Sequence, residues 1–468
     1  MQVPILNGIY TDGAGDFRVE YPRNMIPVVL ETGISKGYFR PADGVVSLGT
    51  GPGIDRGGIE WNGLLYRVMG TKLVSISSAS AVTVIGDVGG TGQVTMDYSF
   101  DYLAIASSGK LFLYRPSTGL QQVTDVDLGT VLDVAWVDGY FMTTDGQYLI
   151  VTELNDPFAV NPLKYGSAEA DPDPIVALLK VRNEIYALNR HTIEVFNNVG
   201  GDLFPFQRVE GAQVQRGAIG THACCTFMES IAFVGGGRNE APAVWLISGS
   251  NAEKISTREV DLILEQFTEA QLSNLLLEAR IDRGYRQLLI HLSDRTLAFD
   301  AASTTQSGSP VWFTLTSDNL VGYSQYRARN LVWVYNRWIV GDPASTGFGY
   351  LSDSLSSHWG VLNGWSFSTV IVYNESRGAL FHELELVSLT GNSIFGTDPS
   401  VWTSHTEDGV TWSQERVCKA GKTGVRGKRI SWLQQGRMRQ WRAQKFRGTS
   451  DAQFSVARLE ARLEPLNV

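Results

Sequence analysis

The sequence predicts an all-β chain: a β-propeller-like domain of six or seven blades with a short helical insertion, then a C-terminal antiparallel β-sandwich. Three observations lead there. A unit of apolar strand, two-residue polar turn and second β-rich strand recurs at spacings of roughly 38 to 55 residues, the length of a four-stranded blade. Glycine (49 of 468 residues) and aromatics (10%) are plentiful while Met is scarce (7), which favours short strands and tight turns over helical bundles. Beyond about Ser356 the spacing of strands and turns changes, as it does where one domain gives way to another.

In chain order, residues 1–55 read as an N-terminal arm and closing strand, and residues 56–355 as the propeller. Its units run "IEWNGLLYRVMGTKLVSI" from Ile59, "FDYLAIASSGKLFLY" from Phe100, "VAWVDGYFMTTDGQYLIV" from Val134 and "LLKVRNEIYALNRHTIEVF" from Leu178. Looser copies start at Phe227, Asp282 and Val332. Asn62-Gly63, Asp138-Gly139, Arg182-Asn183 and Asn336-Arg337 mark the turns, because these residues tolerate the left-handed backbone that tight hairpins need. Residues 256–280 break the pattern. Ser256 and Glu259 stand at capping-box spacing, Val260, Ile263, Leu264 and Phe267 share one helical face, and Thr268 opens a second short helix through Leu277. This insertion between blades reads as a clip over a propeller edge, with a docking surface as the second reading.

Residues 356–468 read as the sandwich. They contain Asp408-Gly409-Val410-Thr411-Trp412, the core of the hairpin that sialidases repeat around their propellers. Here it lies outside the blades, so it is expected to be a tight turn with Trp412 packed beneath it rather than part of a catalytic site.

The chemistry-bearing residue types point away from catalysis. Cys224 and Cys225 are adjacent, Cys418 stands alone, and no C-x-x-C pair signals zinc or a disulfide framework. The six histidines are scattered, and His382-Glu383 has no second histidine at metalloprotease spacing. "GTGPGIDRGG" from Gly49 resembles a phosphate loop but leads into a strand, so no helix N-terminus awaits an anion. No catalytic, cofactor-binding or metal-ligating residues are therefore assigned. No apolar run approaches the ~18 residues that span a bilayer, and "MQVPILNGIY" lacks the order of a signal peptide; manufacture in a cytosol without membrane insertion is the expectation.

Charge is more informative. The chain carries a formal −9, yet residues 416–447 hold eleven Arg or Lys and no acid, leaving 28 bases against 48 acids, −20, elsewhere. We expect Arg426, Lys428, Arg429, Arg437, Arg439 and Arg442 to face protein, either a second copy or another component. A solvated face is the second reading and direct contact with DNA phosphates the third. Trp432, Trp441 and Phe446, interleaved with these cations, could stack bases but at strand spacing fit a sandwich core better.

The order of motifs carries a resemblance. "NMIPVV" from Asn24 and "SKGYFRPADGV" from Ser35 lead to "RGGIEWNGLLYRVMGTKLVSI" from Arg56. Later come "IGDVGGTGQVTM" from Ile85, "IEVFNNVG" from Ile193, "QRGAIGTHACCTFMESIAFVGGG" from Gln215, "ISTREVDLILEQFTEAQL" from Ile255 and "GKRISWLQQGRMRQWRAQKFRG" from Gly427. Collinearly over nearly the whole chain, they resemble the packaged-DNA stabilisation protein of short-tailed bacteriophages (podoviruses), the tail hub or nozzle family. Where family members carry "PGI" after the Tyr-Phe-Arg stretch, this chain has Ala42-Asp43-Gly44-Val45, a departure in a turn. The resemblance implies a non-enzymatic virion tail component, assembled in the host cytoplasm as a homo-hexameric ring. It also implies as partners the head-to-tail adaptor, the tailspike or tail fibre, the tail needle or plug, and double-stranded DNA in transit. Two rivals stand beside it. One is a propeller glycosidase or depolymerase of surface polysaccharide, which needs clustered carboxylates in a deep central pocket; the other is a monomeric propeller scaffold.

Overall fold

The computed structural model describes all residues except 7, 14, 31, 155, 169–170, 319–322, 394–395, 450, 452–453 and 467–468. Seven antiparallel motifs form the propeller, each of four strands except blade 5, whose innermost position is split into Gly217–Ala218 and Cys224–Phe227, both paired with Ser230–Gly236. Blades 1 to 6 span residues 55–87, 95–122, 133–167, 175–208, 217–254 and 276–315. Blade 7 takes three strands from residues 329–352 and its fourth, Gly44–Thr50, from the N-terminal side, paired antiparallel with Gly347–Ser352. The count expected as six or seven is seven. Innermost strands of successive blades lie side by side all round, and blade 7 adjoins blade 1. Alternate side chains pack into cores between neighbouring blades, which is why these strands are apolar on both faces.

Turn chemistry sets the blade phase. Asn62 and Gly63 (φ 53° and 76°) and Asp138 and Gly139 (φ 47° and 94°) adopt left-handed backbone, matching the twist of the strands they join. In blade 7 the turn is Tyr335-Asn336 (φ 55° and 57°), one residue before the expected Asn336-Arg337, because Arg337 already begins the next strand.

The helical insertion is shorter than expected. Thr257, not Ser256, caps helix α1 (Arg258–Leu264), its hydroxyl accepting from the Val260 N–H; the Ser256 hydroxyl instead donates to Asp261. Thr268 caps α2 (Glu269–Leu272) in a full capping box with Gln271. Leu276 and Leu277 are not helical: they open the innermost strand of blade 6. Val260, Leu264 and Leu272 are buried in the core shared by blades 5 and 6, so the pair is packed into the seam between these blades. A further helix, α3 (Ala301–Ser307), capped by Asp300, sits within blade 6 and had no clear signal in the sequence.

Acids on inner strands clasp one blade to the next. Asp97 accepts the Trp136 N–H (2.6 Å), Asp133 the Leu178 N–H (2.8 Å), and Glu278 the N–H groups of Asn330 (3.0 Å) and Leu331 (2.6 Å). Burial pushes the Asp133 carboxyl up to about 7, despite the Leu178 and Val134 N–H groups it receives. The folded protein thus binds a proton that the unfolded chain, near 3.8, releases, so this group's contribution to stability falls as pH rises from about 4 to about 7. Asp133→Asn should remove that component. Subtracting mutant from wild-type unfolding free energies across this window should give a difference that declines with pH; a flat difference would refute the assignment.

The sandwich is built from both ends of the chain. One sheet carries Met25–Val28, Tyr38–Pro41, Ser455–Pro465, Ala379–Leu389 and Ile430–Met438 in that order, with Gln2–Val3 also on Ser455–Pro465. The other runs Gly364–Ser368, Trp441–Thr449, Ser400–Thr406, Arg416–Lys419. Phe39, Phe367, Trp432 and Phe446 fill the core between them.

Candidate interaction surface

Of the eleven cations of residues 416–447, Arg416, Lys419 and Arg437 stand on edge strands, Arg442, Lys445 and Arg447 on the inner strand Trp441–Thr449, and the other five on the connections. The strands nearest the propeller are Met25–Val28 and Gly364–Ser368: Arg23 pairs through its backbone with Ser366, and the Asn24 N–H reaches the Thr314 carbonyl of blade 6 (2.8 Å). Arg416–Lys419 and Ile430–Met438 are the opposite edges, so the segment 420–429 that joins them is distal to the propeller.

The six cations singled out in the sequence do not form one strip. Arg426 and Lys428 are exposed on that distal connection and make no ion pair among the described residues. Arg429 is already engaged across the sheet by Glu385 and by Glu383 (3.1 Å). Arg437 and Arg439 are exposed at the other end of Ile430–Met438, Arg437 still paired with Leu380 and Arg439 just past the pairing of Met438 with Ala379. Nine positions of mostly extended chain, roughly 30 Å, separate Lys428 from Arg437.

Arg442 corrects the expectation outright. It is 1% exposed, so it cannot meet a partner. Strand alternation turns it inward, where it donates to the Gln435 carbonyl (2.7 Å) and Gln444 Oε1 (2.9 Å) and lies over the Phe381 ring (4.4 Å). Burial lowers its pKa to about 10, so it remains cationic at neutral pH. Lys445 and Arg447 pair with Glu20 and Glu415. Trp432 and Phe446 are core residues, their rings 5.6 Å apart, and offer no platform for bases.

The Asp-Gly stretch also differs from a tight hairpin turn. The connection runs from Thr406 to Arg416, nine residues long, and Asp408 organises it from within. Its carboxylate accepts from the Thr411 hydroxyl and from the N–H groups of Thr411 (2.7 Å) and Val410 (2.9 Å). These donors, the hydroxyl first, hold it well below the usual carboxylate range. Gly409 (φ 76°) lies against the N-terminal arm; a Cβ there would meet Thr11 Oγ1 at 1.6 Å. Trp412 stays partly exposed, with Lys445 Nζ 5.4 Å from its ring centre.

That arm is what sequence reasoning missed. The hairpin Gly8–Thr11/Phe17–Glu20 straps the two domains together. Thr11 donates to the Asp408 carbonyl (2.7 Å) and Glu20 pairs with Lys445 (2.6 Å) on the sandwich side. On the propeller side Asp16 pairs with Arg258, Arg18 with Glu259 (3.5 Å), and Tyr21 bonds Thr257. The signal was Asp12-Gly13, an Asp-Gly turn marker between the short runs Gly8–Thr11 and Phe17–Glu20. Strap, α1 and the Asp408 loop enclose a cleft of about 390 Å³ lined by Tyr10, Glu259, Tyr323 and Trp412. The turn that departs from the family pattern is a second tie. Asp43 is buried between Arg40 (2.9 Å) and Arg280 of blade 6 (2.6 Å); burial alone would raise its pKa, but the two guanidiniums bring it to about 2.

The remaining motifs are structural. Asp55, from the glycine-rich stretch, is buried against Arg67 (2.5 Å), and Asn330 Nδ2 donates to it (2.6 Å), joining blade 1 to blade 7. Arg56 staples the loop 89–92 through the carbonyls of Gly89 (2.6 Å) and Gly92 (2.5 Å). Gln93 then donates to Asn330 Oδ1 (2.6 Å), across the seam between blades 1 and 7. Among the described residues no group of three or more His, Cys, Asp or Glu is placed to hold a metal.

Comparison with known proteins agrees with this two-part architecture. Residues 1–356 match the family described as bacteriophage P22 Gp10, β-propeller, and residues 364–464 match bacteriophage P22 Gp10, β-sandwich. The tail hub protein gp10 of Salmonella phage P22 is 27% identical over 486 residues, covering 99% of each chain. Among solved structures, PorZ of Porphyromonas gingivalis has a TM-score of 0.41 at 12% identity, covering 80% of this chain and 46% of its own. The Neurospora crassa Pan2 WD40 domain has a TM-score of 0.41 at 10% identity, covering 66% and 94%. Both likenesses are too distant to argue from. With propeller and sandwich each matched in its place along the sequence, the chain belongs to the bacteriophage P22 Gp10 family.

Proposed function

We propose that this protein is a structural component of a short-tailed phage virion, the tail hub. The observation that carries the reading is the end-to-end match to a tail hub protein, in which both domains are retained in the same order. In this role it attaches below the head-to-tail adaptor as a ring of identical copies, hexameric by analogy. It extends the DNA channel, helps retain the packaged genome, and anchors tailspikes or fibres and the needle or plug. It is made and assembled in the host cytoplasm.

The physical chemistry supports this reading. A net −9 chain lining a channel repels phosphates, so duplex DNA slides rather than sticks. Two ties and a strap join propeller to sandwich, as suits a part that transmits load. A glycosidase would need free carboxylates converging on a pocket. Here the inner-strand acids Asp97, Asp133 and Glu278 are instead spent on N–H groups of the next blade.

Electron cryo-microscopy of purified particles tests the proposal. The expected result is a ring of this chain around the axial channel between adaptor and tail tip. Particles that eject DNA normally without it, or hydrolysis of host polysaccharide by the purified protein, would overturn the reading.

A further inference from the structure

The seven-blade circuit gives the molecule two unlike ends. The sandwich docks on blades 6 and 7, through Thr314, Asp43–Arg280 and the N–H groups of Ser356 and Ser357 on Asp451. In a ring of seven, blade 3 stands opposite that seam. Residues 95–210, blades 2 to 4, hold 16 acids and 7 bases, a net −9 equal to that of the whole chain. The edge of the sandwich farthest from the propeller holds Arg426 and Lys428, which make no ion pair among the described residues.

Each end also exposes large apolar side chains, which single-chain proteins seldom cluster without a use. On the outer rim between blades 2 and 3, Val126 is 90% exposed and Leu163 is 70% exposed. They sit on segments tied to each other: Asp125 accepts the Val160 N–H (2.9 Å) and Tyr165 bonds the Asp127 carbonyl. On the sandwich edge Leu389 is 68% exposed, and its neighbour Thr390 donates to the Arg426 carbonyl (3.0 Å). One end therefore combines apolar and acidic groups, the other apolar and basic groups. That is the pattern of a contact with a buried apolar centre and a charged rim of opposite signs.

We propose that copies of this chain associate head to tail, the sandwich edge around Leu389, Arg426 and Lys428 seating on the blade 2–3 rim around Val126, Asp127 and Leu163 of the next copy. The partner is a second copy because the complementary surface is on the same chain, and because two unlike patches on opposite sides generate a closed ring or a filament rather than a two-fold dimer. This deepens the ring-forming part of the hub reading and rests on it.

Charge swapping tests the pairing. Arg426→Glu with Lys428→Glu gives a chain with two acidic ends; Asp127→Lys with Asp156→Lys, Asp156 being exposed at the start of the strand Asp156–Ser167 that carries Leu163, weakens the acidic end in the opposite sense. Sedimentation should show each variant self-associating at least about tenfold more weakly than wild type, with the wild-type contact itself weakening as salt rises. Mixed together, the two variants should recover association to within about threefold of wild type, because each offers what the other lacks. A chain carrying Leu163→Cys and Leu389→Cys should form an oxidised ladder of copies that neither single cysteine variant forms. Failure of either reversal to weaken association, loss without rescue on mixing, or no ladder in free protein or particles would each overturn the pairing. Incorporation of the reversed chains into tails is scored separately. Tails that assemble normally from reversed chains sink this contact while leaving the hub reading intact.

Discussion

Arg67→Ala should lower the stability of the propeller by about 3–5 kcal/mol, the largest loss expected from a single side chain in this protein. Arg67 and Asp55 are both fully buried, and Arg67 also donates to the carbonyls of Asn330 and Ile339. Truncation strands the Asp55 carboxylate beside one amide donor, Asn330 Nδ2, in a site walled by backbone: a Cβ on Gly341 would stand 2.2 Å from its Cγ. Because the pair spans blade 1 and blade 7, the loss falls on the seam that closes the ring. Denaturant unfolding of Arg67→Ala, Asp55→Ala and the double variant should show the double costing much less than the sum of the singles, since removing both charges leaves neither stranded. Additive losses would mean that the pair contributes only packing.

Arg442→Leu should cost about 2–4 kcal/mol, whereas Arg437→Ala should change stability by no more than about 0.5 kcal/mol. The two residues are close in sequence and carry the same charge. Arg442, however, satisfies the Gln435 carbonyl and Gln444 Oε1 inside the sandwich, and Gln444 in turn donates to Thr403 Oγ1 (2.6 Å). Leucine fills part of the volume but leaves two buried acceptors without donors. Thermal unfolding of the pair of variants reads the contrast directly. Equal stability would return Arg442 to the surface role that its charge suggested.

These two arginines also mark the boundary of what the amino-acid order decides. Strand alternation, Asn-Gly and Asp-Gly turns and recurring spacing are local properties, and they were enough to specify an all-β propeller and a sandwich, because period-2 burial and left-handed turn residues have few other uses. The excess of cations in residues 416–447 was equally legible. Its partition was not. Whether a cation is paired, buried or free depends on which strand lies beside it: Glu383 and Glu385 beside Arg429, Glu20 from the other end of the chain beside Lys445, Phe381 beneath Arg442. The helix caps show the same limit on a smaller scale, since Ser256 and Thr257 are equivalent in sequence until Asp261 claims the Ser256 hydroxyl. Composition and local periodicity thus determined the class of fold, the domains' order and the uneven charge. Only the tertiary structure decided that strands Gln2–Val3, Met25–Val28 and Tyr38–Pro41 belong to the sandwich, that strand Gly44–Thr50 completes blade 7, and that acidic rim and basic edge lie at opposite ends. Those outcomes depend on contacts between residues hundreds of positions apart, and no local pattern encodes which distant strand will pair with which.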